Sequence, residues 1–187
     1  MEAIFQNNNI LQSNIYHFRK TSNCDYMIRK AQKEDYPEIL KLNQNDVEML
    51  SPLDDDLLSK MDELSEIFHV IEQDMGIVAF ILAFADGCDY WSDNYKWFSD
   101  NYANFIYIDR IVIDENYRKQ GFDKKLYENL FDYASENNYD LACAEIDIEP
   151  EYNHPSIAFH KKMGFKEVGT RISKQTLTVS LQTKELE

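Results

Sequence analysis

A chain of 187 residues with 34 acidic against 19 basic side chains carries a formal net charge of -15 at pH 7. With 44% apolar and 13% aromatic residues it can bury a substantial core and reads as a folded globule. The acidic balance excludes the basic surface on which nucleic-acid backbone binding depends, and it suits a cationic amine ligand or plain solubility.

Residues 1 to 25 are rich in Asn and Gln with scattered apolar positions, and they read as an N-terminal extension, either a disordered arm or a short helix packed on the body. The opening MEAIFQNNNI has no basic stretch followed by an apolar core, so no secretory signal is expected. Residues 26 to 187 read as one domain without a linker or an internal repeat. Tyr26 to Ala31 predicts a first strand, and Lys33-Glu34-Asp35-Tyr36-Pro37 opens a helix carrying Ile39, Leu40, Leu42, Val47 and Leu50. Pro37 sits in the first turn, where proline is tolerated, and Ser51-Pro52 breaks the helix. Asp54 to Ser65 predicts a second helix with Leu57, Leu58, Met61 and Leu64 on its apolar side.

Phe68 to Glu72 and Ile77 to Ala85, around Gln73-Asp74-Met75-Gly76, predict an antiparallel hairpin. The second strand alternates little, so both faces are expected to be covered, and it is too short to span a bilayer. Residues 86 to 104 read as a long loop bearing Tyr90, Trp91, Tyr95, Trp97, Phe98 and Tyr102. It is either a lid or wall over a substrate groove, or a packing surface for the partner subunit of a homodimer. Phe105 to Ile113 predicts a strand, and Phe122 to Asn138 a helix with Phe122, Leu126, Leu130 and Ala134 in one stripe beside Tyr127 and Phe131. Leu141 to Ile148, a helix over Pro155 to Met163, and strands near Phe165 to Ile172 and Gln175 to Leu181 complete the domain. The order β-α-α-β-β-β-α-β-α-β-β predicts an α/β sandwich with a mixed sheet between helices.

Arg118, Lys119, Lys124 and Lys125 surround Gly121 between a strand and a helix. Backbone N–H groups in the first turn of a helix converge on phosphate oxygens, and the helix dipole adds positive potential. A cationic island in an acidic chain predicts a polyanionic ligand; lysines that are merely solvated are the plain alternative. The turn lacks the G-K-[ST] ending of a nucleotide P-loop. Cys24, Cys88 and Cys143 form no C-x-x-C pair and read as reduced thiols of a cytoplasmic protein. Cys143, in an apolar strand, reads as core rather than as a nucleophile. No metal site is expected, because His17, His69, His154 and His160 lack partners at ligand spacing.

Residues 105 to 126 together with 141 to 165 resemble the GNAT superfamily of acetyl-CoA-dependent N-acyltransferases. The motif R/Q-x-x-G-x-G/A falls on Arg118, Gly121 and Asp123, and N-x-x-S/A-x-x-F-Y-x-K-x-G-F falls on Asn153, Ser156, Phe159, His160, Lys162, Gly164 and Phe165. Asp123 stands where Gly or Ala is usual, and His160 where Tyr is usual. Ser51-Pro52-Leu53-Asp54, Trp97-Phe98, Asp109-Arg110-Ile111-Val112 and Phe159-His160 are similar to a little-characterised bacterial branch of predicted acetyltransferases. The resemblance covers roughly residues 26 to 186.

It implies a GNAT-like α/β fold with a mixed sheet of six to seven strands flanked by about four helices. It implies acetyl-CoA as co-substrate and direct transfer to a primary amine on a small molecule or peptide; no metal, nucleic acid or membrane is expected, on the His spacing, the acidic charge and the short apolar runs already described. The cofactor contacts it implies are Ile111, Val112 and Ile113 along the pantetheine arm and thioester, and Arg118, Lys119, Gln120, Gly121, Phe122, Asp123 and Lys124 around the pyrophosphate. Asn153, Ser156, Phe159 and Lys162 are further cofactor contacts, although Lys162 reads equally as a solvated lysine. The same resemblance makes Glu145 the candidate base, through a water, with Asp109 competing for that role. A solvent-facing or lysine-paired carboxylate is the alternative for Glu145, and a structural anchor for Asp109. His160 takes the position of the Tyr that protonates the departing sulfur, a step imidazole can perform near neutral pH; a helix His packed beside Phe159 is the alternative. The rival to the enzyme is a catalytically silent CoA-binding or interaction domain, for which Asp123 is the sequence argument.

Overall fold

Strand β3, Gly76–Ala85, is buried along all but its two end residues, which demands a place inside a sheet covered on both faces. The computed structural model, which describes residues 25–45, 50–73, 76–149, 153–172 and 177–187, gives it that place. Seven strands form one sheet in the order β1-β2-β3-β4-β5-β7-β6. The others are β1 Met27–Lys30, β2 Ile67–Gln73, β4 Phe105–Ile113, β5 Leu141–Glu149, β6 Lys166–Ile172 and β7 Thr178–Glu185. All neighbours are antiparallel except β4 and β5, whose crossover is the helix α4, Phe122–Glu136. The expectations that fall on residues 1–24, on Val47, on Asp74-Met75 and on residues 173–176 lie outside the described residues.

The two faces of β3 differ in size. Phe80, Leu82 and Phe84 join the core under α1 (Tyr36–Asn45) and α2 (Asp55–Leu64), whose Ile39, Leu42, Leu58 and Met61 pack on them. On the opposite face Ala79 and Ala83, with Ala142 and Ala144 of β5, leave room for the larger Phe122, Leu126, Tyr127 and Leu130 of α4. Phe159 and Met163, on and just after α5 (His154–Lys162), are half-buried on that side. Large residues therefore meet small ones across each layer, as close packing requires.

The segment 86–104 departs from expectation, because it contains a helix, α3 (Asp93–Asn101), and not a continuous loop. Ser92 caps it by accepting from the Tyr95 N–H at 3.4 Å. Tyr95 and Phe98, one turn apart, point inward with Tyr90: their exposures are 2%, 0% and 5%. Tyr90 stacks on Phe84 with ring centroids 3.9 Å apart, and Phe98 lies 5.8 Å from Tyr107. The polar sequence DNYKWFSDN has poor intrinsic helix propensity, so burial of its aromatic side outweighs local preference. These three rings are core, and neither a lid nor a partner surface can use them; Trp91, at 37% exposure, remains on the outside.

Phe98→Ala should therefore cost about 3 to 5 kcal/mol of unfolding free energy, the range for deleting a buried aromatic ring. Chemical denaturation checks it. A cost under about 1 kcal/mol, as for ordinary surface substitutions, would mean that α3 is not part of the core.

Candidate active site

Leu82 of β3 faces Arg110 of β4, while the next residue, Ala83, faces Ile108, so Asp109 is an extra residue, a β-bulge. The bulge resets the alternation of β4. Tyr107 before it, and both Arg110 and Val112 after it, lie on the α1–α3 face, and Ile111 and Ile113 face α4. Pairing between β4 and β5 runs from Phe105 opposite Leu141 to Ile108 opposite Ala144 and stops there. Past that point the strands part around a cleft of about 590 Å³.

The turn Arg118 to Lys124 forms one end of the cleft. Lys119 and Gly121 have φ of 62° and 79°, so two left-handed residues alternate along it. Such kinks turn successive backbone N–H groups toward one point, an anion-binding concavity. A Cβ on Gly121 would meet nothing within 4 Å, so the glycine answers to backbone conformation and to the approach of a ligand. Arg118 Nε donates to the Ile113 carbonyl at 3.3 Å, and Gln120 Nε2 to the Asn116 carbonyl at 3.2 Å. The Lys125 ammonium lies 3.8 Å from the Tyr26 ring centre, against an aromatic face. Asp123 Oδ1 accepts from the N–H of Lys124 at 2.8 Å, so it occupies one of the first-turn donors that the phosphate-binding reading needs.

Glu145 lies at the floor where β4 and β5 separate. Tyr107 donates to its Oε2 at 2.5 Å and Asn94 Nδ2 to its Oε1 at 3.2 Å. Burial pushes its carboxyl up to about 7 from an ordinary 4.5; the nearby Asp109 charge raises it further, and the hydrogen bonds from Tyr107 and Asn94 hold it back. Asn94 is 9% exposed, and its Oδ1 has no partner. With the amide turned over, that oxygen would accept from the neutral carboxyl, so Asn94 can serve both protonation states of Glu145.

Asp109 is differently placed. Tyr90 donates to its Oδ1, and Arg110 Nε to its Oδ2 at 2.7 Å, so both oxygens are taken. Arg110, 6% exposed, is itself anchored by Asn43 Oδ1 at 2.8 Å, the Ser51 carbonyl at 3.3 Å and the Ser51 hydroxyl at 3.1 Å. Two sequence marks far apart in the chain, Ser51-Pro52 and Asp109-Arg110, thus meet.

His160 is 6% exposed. Its Nδ1 lies 2.9 Å from the Ser156 carbonyl, which can only accept and therefore favours, at rest, the tautomer with its hydrogen on Nδ1. Nε2 then accepts from the Tyr127 hydroxyl at 2.8 Å. Burial pulls the imidazole below its ordinary value, so the ring is neutral at pH 7. Asn153 caps α5, its Oδ1 accepting from the Ser156 N–H at 3.1 Å.

Of the residues singled out from the sequence, the cleft brings together Asp109, Ile111, Ile113, Arg118, Lys119, Phe122, Asp123, Glu145, Asn153, Ser156 and His160. Val112 is turned into the opposite core, Phe159 packs 5.1 Å from the Tyr127 ring, and Lys162 is exposed on α5 outside the cleft lining. Sequence reasoning missed Tyr90, Asn94, Tyr107 and Tyr127. Tyr107 was visible as a polar-tipped residue two before Asp109 in an apolar strand, whereas Asn94 was hidden with its helix.

Solved structures share this architecture. The ribosomal-protein-S18-alanine N-acetyltransferase from Escherichia coli aligns with a TM-score of 0.66 at 15% identity, over 87% of this chain and 94% of that one. Ard1 from Thermoplasma volcanium gives 0.71 at 16% identity, over 87% and 98%. The protein yncA from Salmonella typhimurium, solved with its cofactor acetyl-CoA, gives 0.67 at 17% identity, over 87% and 95%. At these identities the likeness is one of fold. No protein of curated function matches the chain. The model of the Acetyltransferase (GNAT) family matches residues 26–165, most of the domain and every residue that lines the cleft. With the parted β4–β5 pair and the basic turn at its end, that match makes this chain a member of the GNAT acetyltransferase family.

Proposed function

We propose that this protein transfers the acetyl group of acetyl-CoA directly to a primary amine on a small molecule or peptide, with no covalent acyl-enzyme. The observation that carries the reading is Glu145: a carboxylate at the point where the strands part, with its proton affinity raised to about 7. A base of that strength can take a proton from an ammonium near neutral pH and release it again.

Acetyl-CoA supplies the activated thioester. The turn from Arg118 to Lys124 holds its pyrophosphate through backbone donors, and Ile111 and Ile113 line its path toward the thioester. Glu145 deprotonates the incoming amine through a water, while Tyr107 and Asn94 fix the carboxylate. Asp109 is an anchor and not the base, because Tyr90 and Arg110 occupy both of its oxygens.

One observation favours a second reading, a silent CoA-binding domain. Asp123 sits on the Lys124 N–H, where it competes with a phosphate oxygen. Coulomb's law for two unit charges about 5 Å apart gives roughly 0.8 kcal/mol in water and about 3 at an effective dielectric of 20. Asp123→Gly should therefore tighten acetyl-CoA binding roughly fourfold to a hundredfold at low salt, at about 1.4 kcal/mol per tenfold. It should also lower the stability of the unliganded protein, which loses a favourable first-turn carboxylate. Calorimetric titration of both proteins decides it; unchanged or weaker affinity would mean that the carboxylate does not oppose the phosphates.

Saturating acetyl-CoA should raise the melting temperature while acetate leaves it unchanged, since a ligand bound only to the folded state stabilises it. Thiol release over a panel of amines then separates the two readings. Absence of both a thermal shift and calorimetric heat at millimolar cofactor would remove them together.

The pH dependence follows from Glu145. As a base it must be ionised, so kcat/KM should rise with pH through an apparent pKa near 7, and Glu145→Gln should abolish that limb together with most of the turnover. In the folded state its pKa lies above the unfolded value of 4.5, so its contribution to stability is fully present below 4.5 and is lost as pH rises through about 7. The Gln variant should gain stability over wild type between pH 5 and pH 8. A stability difference that stays constant with pH would contradict the buried carboxyl.

A further inference from the structure

We propose that the Tyr127 hydroxyl, paired with His160, is the group that hands a proton to the departing thiolate. The inference rests on the acetyl-transfer reading and names an acid for it. The position at which the family's usual Tyr stands holds a His here, and that His is not in a position to act alone. Both ring nitrogens are engaged, Nε2 by the Tyr127 hydroxyl at 2.8 Å and Nδ1 by Ser156, so a proton leaves the pair for the cleft through the phenol.

Tyr127 lies on α4 one turn after Asp123, so its side chain follows the cleft from the basic turn toward the strand floor. It lines the same cleft as Ile108, Ala144 and Glu145. Burial raises its phenol first, and the charges of Asp123 and Glu145 raise it further. A phenol so disfavoured as an anion cannot give up a proton and remain a phenolate. It must be resupplied in the same event.

His160 provides the resupply. Nδ1 is 2.9 Å from the Ser156 carbonyl and 3.3 Å from the Ser156 hydroxyl, which permits two neutral tautomers. In one, Nδ1–H donates to the carbonyl and Tyr127 donates to Nε2. In the other, the Ser156 hydroxyl donates to Nδ1, Nε2–H donates to Tyr127, and the phenol proton turns into the cleft. From this second arrangement the C–S bond breaks with its electron pair on sulfur, and sulfur takes the Tyr127 proton. Tyr127 takes the Nε2 proton, Nδ1 takes that of Ser156, and the half-buried Ser156 is reprotonated through water by the proton that Glu145 took from the amine and releases to solvent. One proton leaves the amine at Glu145 and one arrives at sulfur, so the sum is acetyl transfer with free thiol as product.

The test measures the full-length protein with acetyl-CoA and whichever amine the wild type turns over. Tyr127→Phe removes only the hydroxyl and keeps the ring packed against Phe131, Phe159 and Phe165. It should lower kcat at least tenfold, with calorimetric acetyl-CoA affinity within about twofold of wild type, since the contact counts in the transition state and little in the ground state. His160→Phe should show the same split. The double variant should be no slower than the slower single variant, because groups acting as one unit do not lose independently. His160→Gln, which keeps a hydrogen-bonding amide opposite the phenol, should recover part of the loss. Wild-type kcat in Tyr127→Phe, multiplying losses in the double variant, or a thermal shift with acetyl-CoA that vanishes together with kcat would overturn the proposal. A wild-type protein that binds no acetyl-CoA or turns over no amine would instead overturn the acetyl-transfer reading, and this inference with it.

Discussion

The bulge at Asp109 is the constraint from which the site follows. One extra residue in β4 puts Asp109 and Arg110 on the same face of the sheet, and burying that face requires the two charges to pair. Arg110 then has donors left over, and it spends them on Asn43 and Ser51, which fixes the end of α1 and the chain beyond it against the sheet. Removing either partner would strand a buried charge, so the pair specifies the geometry more than it adds net stability. The same bulge lies where β4 and β5 cease to pair, and that parting is the cleft.

Around this opening, proton-handling groups are separated by environment. Glu145 is desolvated and its proton affinity raised toward neutrality, while Asp109, in the same wall, is pinned by Arg110 and Tyr90. Two carboxylates on adjacent strands thereby receive different work from their neighbours alone. On the α4 and α5 side, Tyr127 and His160 form a neutral buried pair that complements the carboxylates across the cleft. The tyrosines of β4 and of the α3 segment do more than fill the core, since Tyr107 and Tyr90 each direct a hydroxyl onto a carboxylate.

Much of this was legible in the sequence. Apolar patterning located all seven strands and four of the five helices among the described residues, and the basic turn around Gly121 stood out at what proves to be one end of the cleft. Glu145 and His160 were singled out by the positions they take in the family resemblance, and Asp109 as a polar break in an apolar strand. What stayed hidden depended on tertiary contacts. DNYKWFSDN becomes a helix only when its aromatic side meets Phe105 and Tyr107, and with it Asn94 reaches Glu145. The roles of Asp109 and His160 hung on partners 19 and 33 residues away in sequence, Tyr90 and Tyr127, which no local pattern connects. Asp123 was visible as a departure, but its hydrogen bond to the following N–H was not.

On the proposed function, acetyl-CoA and amine meet where β4 and β5 part. A crystal structure with acetyl-CoA bound tests that directly. The pyrophosphate should lie on the turn from Arg118 to Lys124, with Asp123 displaced from the Lys124 N–H, and the thioester should rest between the strands with Glu145 and Tyr127 on opposite sides of it. An acetyl group bound away from the parted strands, or a pyrophosphate held elsewhere on the protein, would contradict it.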